Sequence, residues 1–204
     1  MAERAGRDNN IDLSELDNAS NVLLLVPSLG NQGREASLTL LTRTPPGETN
    51  VLSVTYTDTA QEWVDFWDDF VNTEPIRGGV VDIGQQDGGV DDPVWAVKTV
   101  ENPSDLTGIG IELSELLQTM ARAAPDSEEI AFSFDSITSL LQYADLQRAF
   151  RFLHVVTGRV KTVDGTGYYR IDPDAHDRQT LATLKGLFDA VVDVDEDDNW
   201  EIQQ

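Results

Sequence analysis

Cysteine is absent from the 204 residues. Its absence excludes disulfides, thiolate metal sites and cysteine nucleophiles, and accords with a reducing cytoplasm. Imidazoles are scarce, since His154 and His176 are the only two histidines. Lysine is scarcer than its usual share: Lys98, Lys161 and Lys185 are all there is, and 14 basic residues face 37 acidic ones for a net charge of −23. No basic stripe occurs, so the cation cluster that displaces phosphate counterions on nucleic acid is missing, and no nucleic-acid partner is expected. No apolar run approaches the roughly 18 residues of a membrane helix, and the N-terminus has neither a hydrophobic core nor a cleavage-like site. The expectation is a soluble, cytoplasmic protein without a membrane partner.

What is abundant is acid, spread over the whole chain instead of held in one block. With an ordinary apolar pattern beneath it, that distribution points to a protein working in molar salt, where the Debye length falls to about 3 Å and self-repulsion is screened. The length suits one α/β domain with a full core. Residues 1–20 read as a polar N-terminal arm whose Ile11, Leu13 and Leu16 lay one helical turn on the surface, and 21–204 as the domain.

Within the domain, strand patterns alternate with helix patterns. Asn21 to Val26 (NVLLLV) reads as a buried strand, followed by the turn Pro27 to Gly33 (PSLGNQG) and a helix from Arg34 to Leu41. Asn50 to Thr55 is a second strand rich in β-branched residues. In Thr59 to Val71 the residues Trp63, Phe66, Trp67 and Phe70 recur at helical spacing, a stripe that reads as core against a sheet and not as a base-stacking platform. Gly79 to Ile83 and Val94 to Val100 are further strands around a flexible Gly84 to Pro93 loop. A helix spans Leu106 to Ala123, capped by Ser104 or Asp105, with Leu113, Leu116, Leu117 and Met120 buried. Glu129 to Phe134 carries a short apolar run suited to a buried central strand, and helical spacing resumes at Ile137, Leu140 and Leu141. Asp145 to Val160 is a long helix burying Leu146, Phe150, Leu153 and Val156. Strand Thr166 to Ile171, helix Gln179 to Phe188, strand Val191 to Val194 and an edge strand at Trp200 to Ile202 complete the chain. The alternation predicts a three-layer α/β sandwich with a mostly parallel sheet and helices on both faces.

In open parallel sheets ligands sit at the carboxyl ends of strands, and three such ends collect polar residues: Ser28 to Arg34, Thr57 with Asp58, and Asp135 with Ser136. Asp135 either caps the following helix or faces a metal or bound water. A glycine-bearing turn before a helix is where a phosphate meets backbone N–H groups. Against G-x-x-x-x-G-K-[ST], however, Gly33 supplies the second glycine while Ser28 stands at the first, Arg34 at the lysine and Glu35 at the magnesium-binding hydroxyl. A carboxylate at that last place repels the phosphates and removes a metal ligand. The Asp172, Asp174, His176, Asp177 cluster carries metal-ligand chemistry, but Asp beside Pro reads first as a turn and helix cap, and no metal is assigned to it. Ser28 lacks the G-x-S-x-G surroundings of a hydrolase nucleophile, and no catalytic residue is assigned.

The stretch Phe134-Asp135-Ser136-Ile137-Thr138 resembles the strand tipped with Asp-Ser-x-Thr of KaiC/RecA-like domains, and the likeness to KaiC-like proteins of halophilic archaea extends from Asn21 to Val194. The resemblance implies a RecA-like sheet and a site at Ser28, Gly30, Gly33, Arg34, Asp58, Asp135 and Ser136. The chain departs from the family at the phosphate loop, and again at Val54-Thr55-Tyr56, where Thr57 and Asp58 replace the family's paired catalytic glutamates. The expectation is therefore a non-catalytic regulatory or signalling module with a vestigial nucleotide site, no cofactor, and a protein partner. The alternative is an ATP-binding protein or weak ATPase with Arg34 on the phosphates and Asp135 holding magnesium through water. The resemblance also implies self-association into a homo-oligomer, with Trp95, Tyr143 and Trp200 as aromatic candidates for the contact.

Overall fold

The computed structural model describes residues 12–28, 31–84, 89–124 and 128–203. Its strands are β1 (Asn21–Leu25), β2 (Thr49–Thr55), β3 (Arg77–Ile83), β4 (Trp95–Val100), β5 (Glu129–Asp135), β6 (Thr166–Ile171), β7 (Ala190–Val194) and β8 (Trp200–Gln203). They form one 8-stranded sheet in the order β4-β3-β2-β5-β6-β1-β7-β8. Every neighbouring pair is parallel except β7 with β8. The helices are α1 (Gln32–Leu41), α2 (Ala60–Val71), α3 (Leu106–Ala123), α4 (Ile137–Tyr143), α5 (Leu146–Thr162) and α6 (Arg178–Lys185).

Residue alternation decides the layering. In β1, Leu23 and Leu25 join Leu52, Val54, Phe132 and Phe134 beneath α3, α4, α5 and α6, whereas Val22, Leu24 and Val26 join Val51 and Ala131 beneath α1 and α2. Both faces of β1, β2 and β5 are therefore apolar, as an inner parallel strand requires, and each fully buried Leu or Phe contributes about 1.5–3 kcal/mol. Two polar pairs lie at this depth: Ser133 donates to Ser53 across β5 and β2 at 2.8 Å, and the Tyr169 hydroxyl donates to Asn21 Oδ1 at 2.8 Å. Several loop acids are helix caps. Asp105, Asp145 and Asp177 accept amide hydrogens at the starts of α3, α5 and α6, and Thr59 with Glu62 closes a capping box on α2.

The three-layer α/β architecture expected from the alternation is present, with local corrections. Helix α1 starts at Gln32, before Arg34. Phe70 continues the α2 stripe in spacing but is exposed, while Trp63 and Trp67 are buried. On α5 the core position belongs to Phe152 and not to Phe150, which lies only partly inside. The segment before β1 is described from Asp12 onward, so Ile11 lies outside the described residues. Its 3-10 turn Leu13–Leu16 plants Leu16 in the α1/α2 core, and Asp17 pairs with Arg43 at 2.5 Å. Of the Gly84 to Pro93 loop, only Gly84 and 89–93 are described.

Trp95 is ordinary core. Its indole meets Trp63 and Trp67 edge-on at 5.1 and 5.7 Å, and Gly78 makes the room, since a Cβ there would lie 2.1 Å from the ring. Trp200 is half-buried against the α1/α2 core, with its N–H donated to Asp198 at 3.2 Å. Tyr143 alone of the three aromatic candidates is largely exposed, stacked on Tyr56 at 6.1 Å. Among the described residues no helix is long and apolar enough to cross a membrane.

Candidate functional site

The parallel registers bring chemistry to one edge of the sheet. Thr55 of β2 lies opposite Asp135 of β5 and Asp82 of β3, and the β5 to β6 ladder pairs Phe134 with Tyr169, one residue short of Asp135 and Arg170. All four side chains thus project at the carboxyl ends of adjacent strands. Asp82 is committed to α2, where its carboxylate accepts the Ala60 amide at 2.9 Å. Thr55 folds the following turn, with its hydroxyl donating to the Asp58 carbonyl at 3.2 Å and accepting the Asp58 amide at 3.1 Å. That turn returns Asp58 toward the sheet edge.

Asp135 does not cap α4. Ser136 does, accepting the Ser139 amide at 3.1 Å. Asp135 instead takes the Arg170 guanidinium: Nε donates to Oδ1 at 3.0 Å and Nη2 donates to the same oxygen. The pair is nearly out of solvent, with side chains 12% and 7% exposed. A buried ion pair of this kind is costly to assemble and far costlier to halve. The Arg170 chain also lies across the start of α1, where a Cβ on Gly33 would come within 2.7 Å of Nη1 and 3.0 Å of Cδ. Gly33 is needed here because arginine occupies the space a side chain would take.

A second cation–carboxylate pair adjoins the first. Arg34 Nε lies 3.3 Å from Asp58 Oδ2, and the guanidinium carbon sits 3.9 Å over the Phe66 ring. Burial raises the Asp58 carboxyl above its ordinary value, Arg34 opposes that rise, and the neighbouring charge of Asp135 adds to it. The two acids therefore sense one another, each held by its own arginine. The cavity against Asp135, lined by Arg34, Ser37, Trp63, Phe66 and Ser133 among others, measures about 10 Å³, room for about one water.

The loop after β1 is engaged in the same way. The Ser28 amide donates to Asp172 Oδ2 at 3.1 Å, so a carboxylate of the chain itself takes an anion's place on that loop. Burial works to raise the Asp172 carboxyl, but hydrogen bonds from Ser28 and from the Asp174 and Ala175 amides together hold it below the usual range. Thr138 completes the tie, its hydroxyl accepting the Asp172 amide at 2.9 Å and meeting His176 Nε2 at 3.1 Å. Burial lowers the His176 ring against the pull of Asp172 and Asp177. Within the Asp172 to Asp177 stretch, Asp172 caps a 3-10 turn and Asp177 caps α6, the turn-and-cap role that Asp beside Pro suggested.

Of the residues singled out from sequence, Arg34, Asp58 and Asp135 line one cluster, with Gly33 beneath Arg170. Ser136 is a helix cap and Ser28 faces Asp172. Gly30 lies outside the described residues. Arg170, the residue that organises the cluster, was missed. Its signal was a lone arginine inside the strand Thr166 to Ile171, which needs an internal counter-charge once both faces of that strand are covered.

The fold and this edge define a three-layer α/β protein whose strand-end site is filled by two arginine–carboxylate pairs of its own. The chain belongs to the family described as a family of unknown function (DUF7504), whose profile matches residues 19–194. No curated protein matches the sequence significantly. Among solved structures it is similar to PH0250 from Pyrococcus horikoshii OT3, at 12% identity and a TM-score of 0.58, covering 91% of this chain and 86% of that one. It is also similar to the uncharacterized protein PH0321 from Pyrococcus horikoshii in complex with an unknown peptide, at 13% identity and a TM-score of 0.60, covering 93% and 88%. At these identities the likeness is one of fold.

Proposed function

We propose that this protein is a non-catalytic, cytoplasmic RecA/KaiC-like module that acts by binding other proteins, with its former nucleotide site held shut by its own side chains. The observation that carries the reading is the Arg170–Asp135 pair. An acid at the tip of an apolar strand serves a magnesium site only while free to face the metal's water shell, and this one is spent on an internal arginine. Arg34, the residue available to stand in for a phosphate-loop lysine, is likewise drawn to Asp58 and Phe66. Glu35 in the first turn of α1 adds a negative charge where phosphates would meet the helix. A partner-binding role draws further support from PH0321, a protein of similar fold that was captured with a peptide.

The test is equilibrium binding of ATP with magnesium in molar salt, on the wild type and on Arg170→Ala. The expected result is no saturable binding to the wild type. Micromolar affinity for the wild type would refute the closed site and revive the weak ATPase.

A further inference from the structure

Helix α5 is an exception to the charge of this protein. Acids outnumber bases 37 to 14 over the chain, yet the 17 residues of α5 hold Arg148, Arg151, Arg159 and Lys161 and no acid. Lys161 pairs with Asp189 at 2.8 Å. The three arginines border a groove of about 620 Å³ that α3 and α5 leave between them, on the face of the sheet opposite α1 and α2. Arg148 donates to the Ser104 carbonyl at 3.3 Å, which sets the starts of the two helices side by side, while Arg151 and Arg159 form no ion pair with any of the described residues. Among the lining residues one is acidic, Glu115, and Lys98 already holds it at 3.1 Å.

Between the arginines the groove is apolar. Of the four large apolar side chains exposed among the described residues, Ile111 and Val155 stand on its walls, each 52% exposed. Gly110 opens its floor, where a Cβ would meet nothing nearer than Phe152 at 3.8 Å, an ordinary contact. Alanine would therefore fit, and it would strengthen the helix. The packing of the chain does not call for glycine at this position, whereas the close approach of another backbone does. The lining runs from Thr107 to Gln118 on α3 and from Arg148 to Arg159 on α5, a length of about 16 Å, or about three turns, along each helix.

We infer that the α3/α5 groove receives an acidic amphipathic helix of another protein, its apolar stripe laid over Gly110 between Ile111 and Val155 and its carboxylates meeting Arg151 and Arg159. The shape of the occupant follows from the slot: a rod lying along two helices buries one apolar stripe between them, the helix-in-groove mode of recognition. Its charge follows from spacing. The Cα atoms of Arg151 and Arg159 lie about 12 Å apart along α5, a span that acids on successive turns of a helix match and a single small head group does not. In molar salt the Debye length is about 3 Å, so only carboxylates placed in contact with the arginines count. The inference rests on the interaction reading in taking a protein as partner. ATP binding and peptide binding are measured separately, so either can fail without the other.

Fluorescence anisotropy on the full chain in molar potassium chloride tests it. The probe is a labelled peptide of about 15 residues, about four helical turns, with leucines at helical spacing flanked by glutamates; a comparison peptide carries lysine in place of each glutamate. The wild type is expected to bind the glutamate peptide saturably and the lysine peptide at least about tenfold more weakly. Gly110→Leu fills the slot with a good helix former and leaves its charge alone, so it is expected to lose the glutamate peptide with an unchanged far-ultraviolet circular dichroism spectrum. Arg151→Glu with Arg159→Glu, both on the exposed side of α5, is expected to reverse the preference toward the lysine peptide, an arm that stands should Gly110→Leu not fold. No saturable binding of the glutamate peptide, equal binding of the two peptides, or a preference unmoved by the charge reversal overturns the inference. Decanoate bound in place of the peptide and lost in Gly110→Leu gives the groove to a small amphiphilic anion, and a wild-type mass that rises with concentration but not in Gly110→Leu gives it to a second copy; each of these overturns it as well.

Discussion

Removing the Arg170 guanidinium is the most informative single perturbation of this protein. Arg170→Ala leaves the Asp135 carboxylate, 7% exposed in the wild type, beside Asp58 and without its counter-charge. Breaking a buried pair by deleting one partner costs about 3–5 kcal/mol, because the remaining charge keeps its desolvation penalty and loses its compensation. At about 2–4 °C per kcal/mol for a chain of this size, the melting temperature should fall by about 6–20 °C. Urea unfolding at constant molar salt is the appropriate assay, since guanidinium chloride would itself screen the acidic surface. The double variant Asp135→Leu with Arg170→Met removes both charges at similar volume and should recover most of the loss. An Arg170→Ala variant within about 1 kcal/mol of wild type, the range of exposed surface pairs, would refute the claim that this pair seals the strand edge.

Gly33→Ala should destabilise by about 1–3 kcal/mol through overpacking against Arg170, although alanine in a helix is ordinarily worth about 1 kcal/mol over glycine; urea unfolding of the same substitution in the Arg170→Ala background should show the sign reverse, and a stabilised single variant would contradict the placement of Arg170. For Asp58, whose carboxyl is raised by burial, the folded state holds its proton to higher pH than the unfolded chain, so the contribution of this group to stability is fully present below about pH 4 and falls as pH rises through the folded value. Asp58→Asn should therefore gain on the wild type between acid and neutral pH in paired unfolding curves, and a variant that loses ground over that interval would show the sign to be wrong. Finally, a net charge of −23 should open the fold as salt is withdrawn and the screening length grows to about 10 Å at 0.1 M; circular dichroism against salt concentration checks this, and an unchanged folded spectrum in millimolar salt would argue against it.

The sequence by itself determined the layers. Phe132 and Phe134 with Ile130, Leu23 with Leu25, and the Trp63 and Trp67 stripe each carry the period of their element, and burial followed that period because strands and helices present side chains at fixed intervals whatever lies beyond them. Of the two caps offered for α3, Ser104 and Asp105, the structure takes Asp105, and a cap of this kind is legible because it bonds an amide only a few residues away. Periodicity could not choose between Phe150 and Phe152, which lie about 160° apart around α5 at 3.6 residues per turn, because the direction of the core is set by the sheet and not by the helix. Nor could it state the fate of Asp135. Its partner Arg170 lies 35 residues away in sequence, and the two meet only because β6 inserts beside β5 in the sheet order. Cap and counter-ion are equally consistent with the local residues around an acid at a strand tip. Which of them it becomes is decided by the strand placed next to it, and that is a property of the tertiary structure alone.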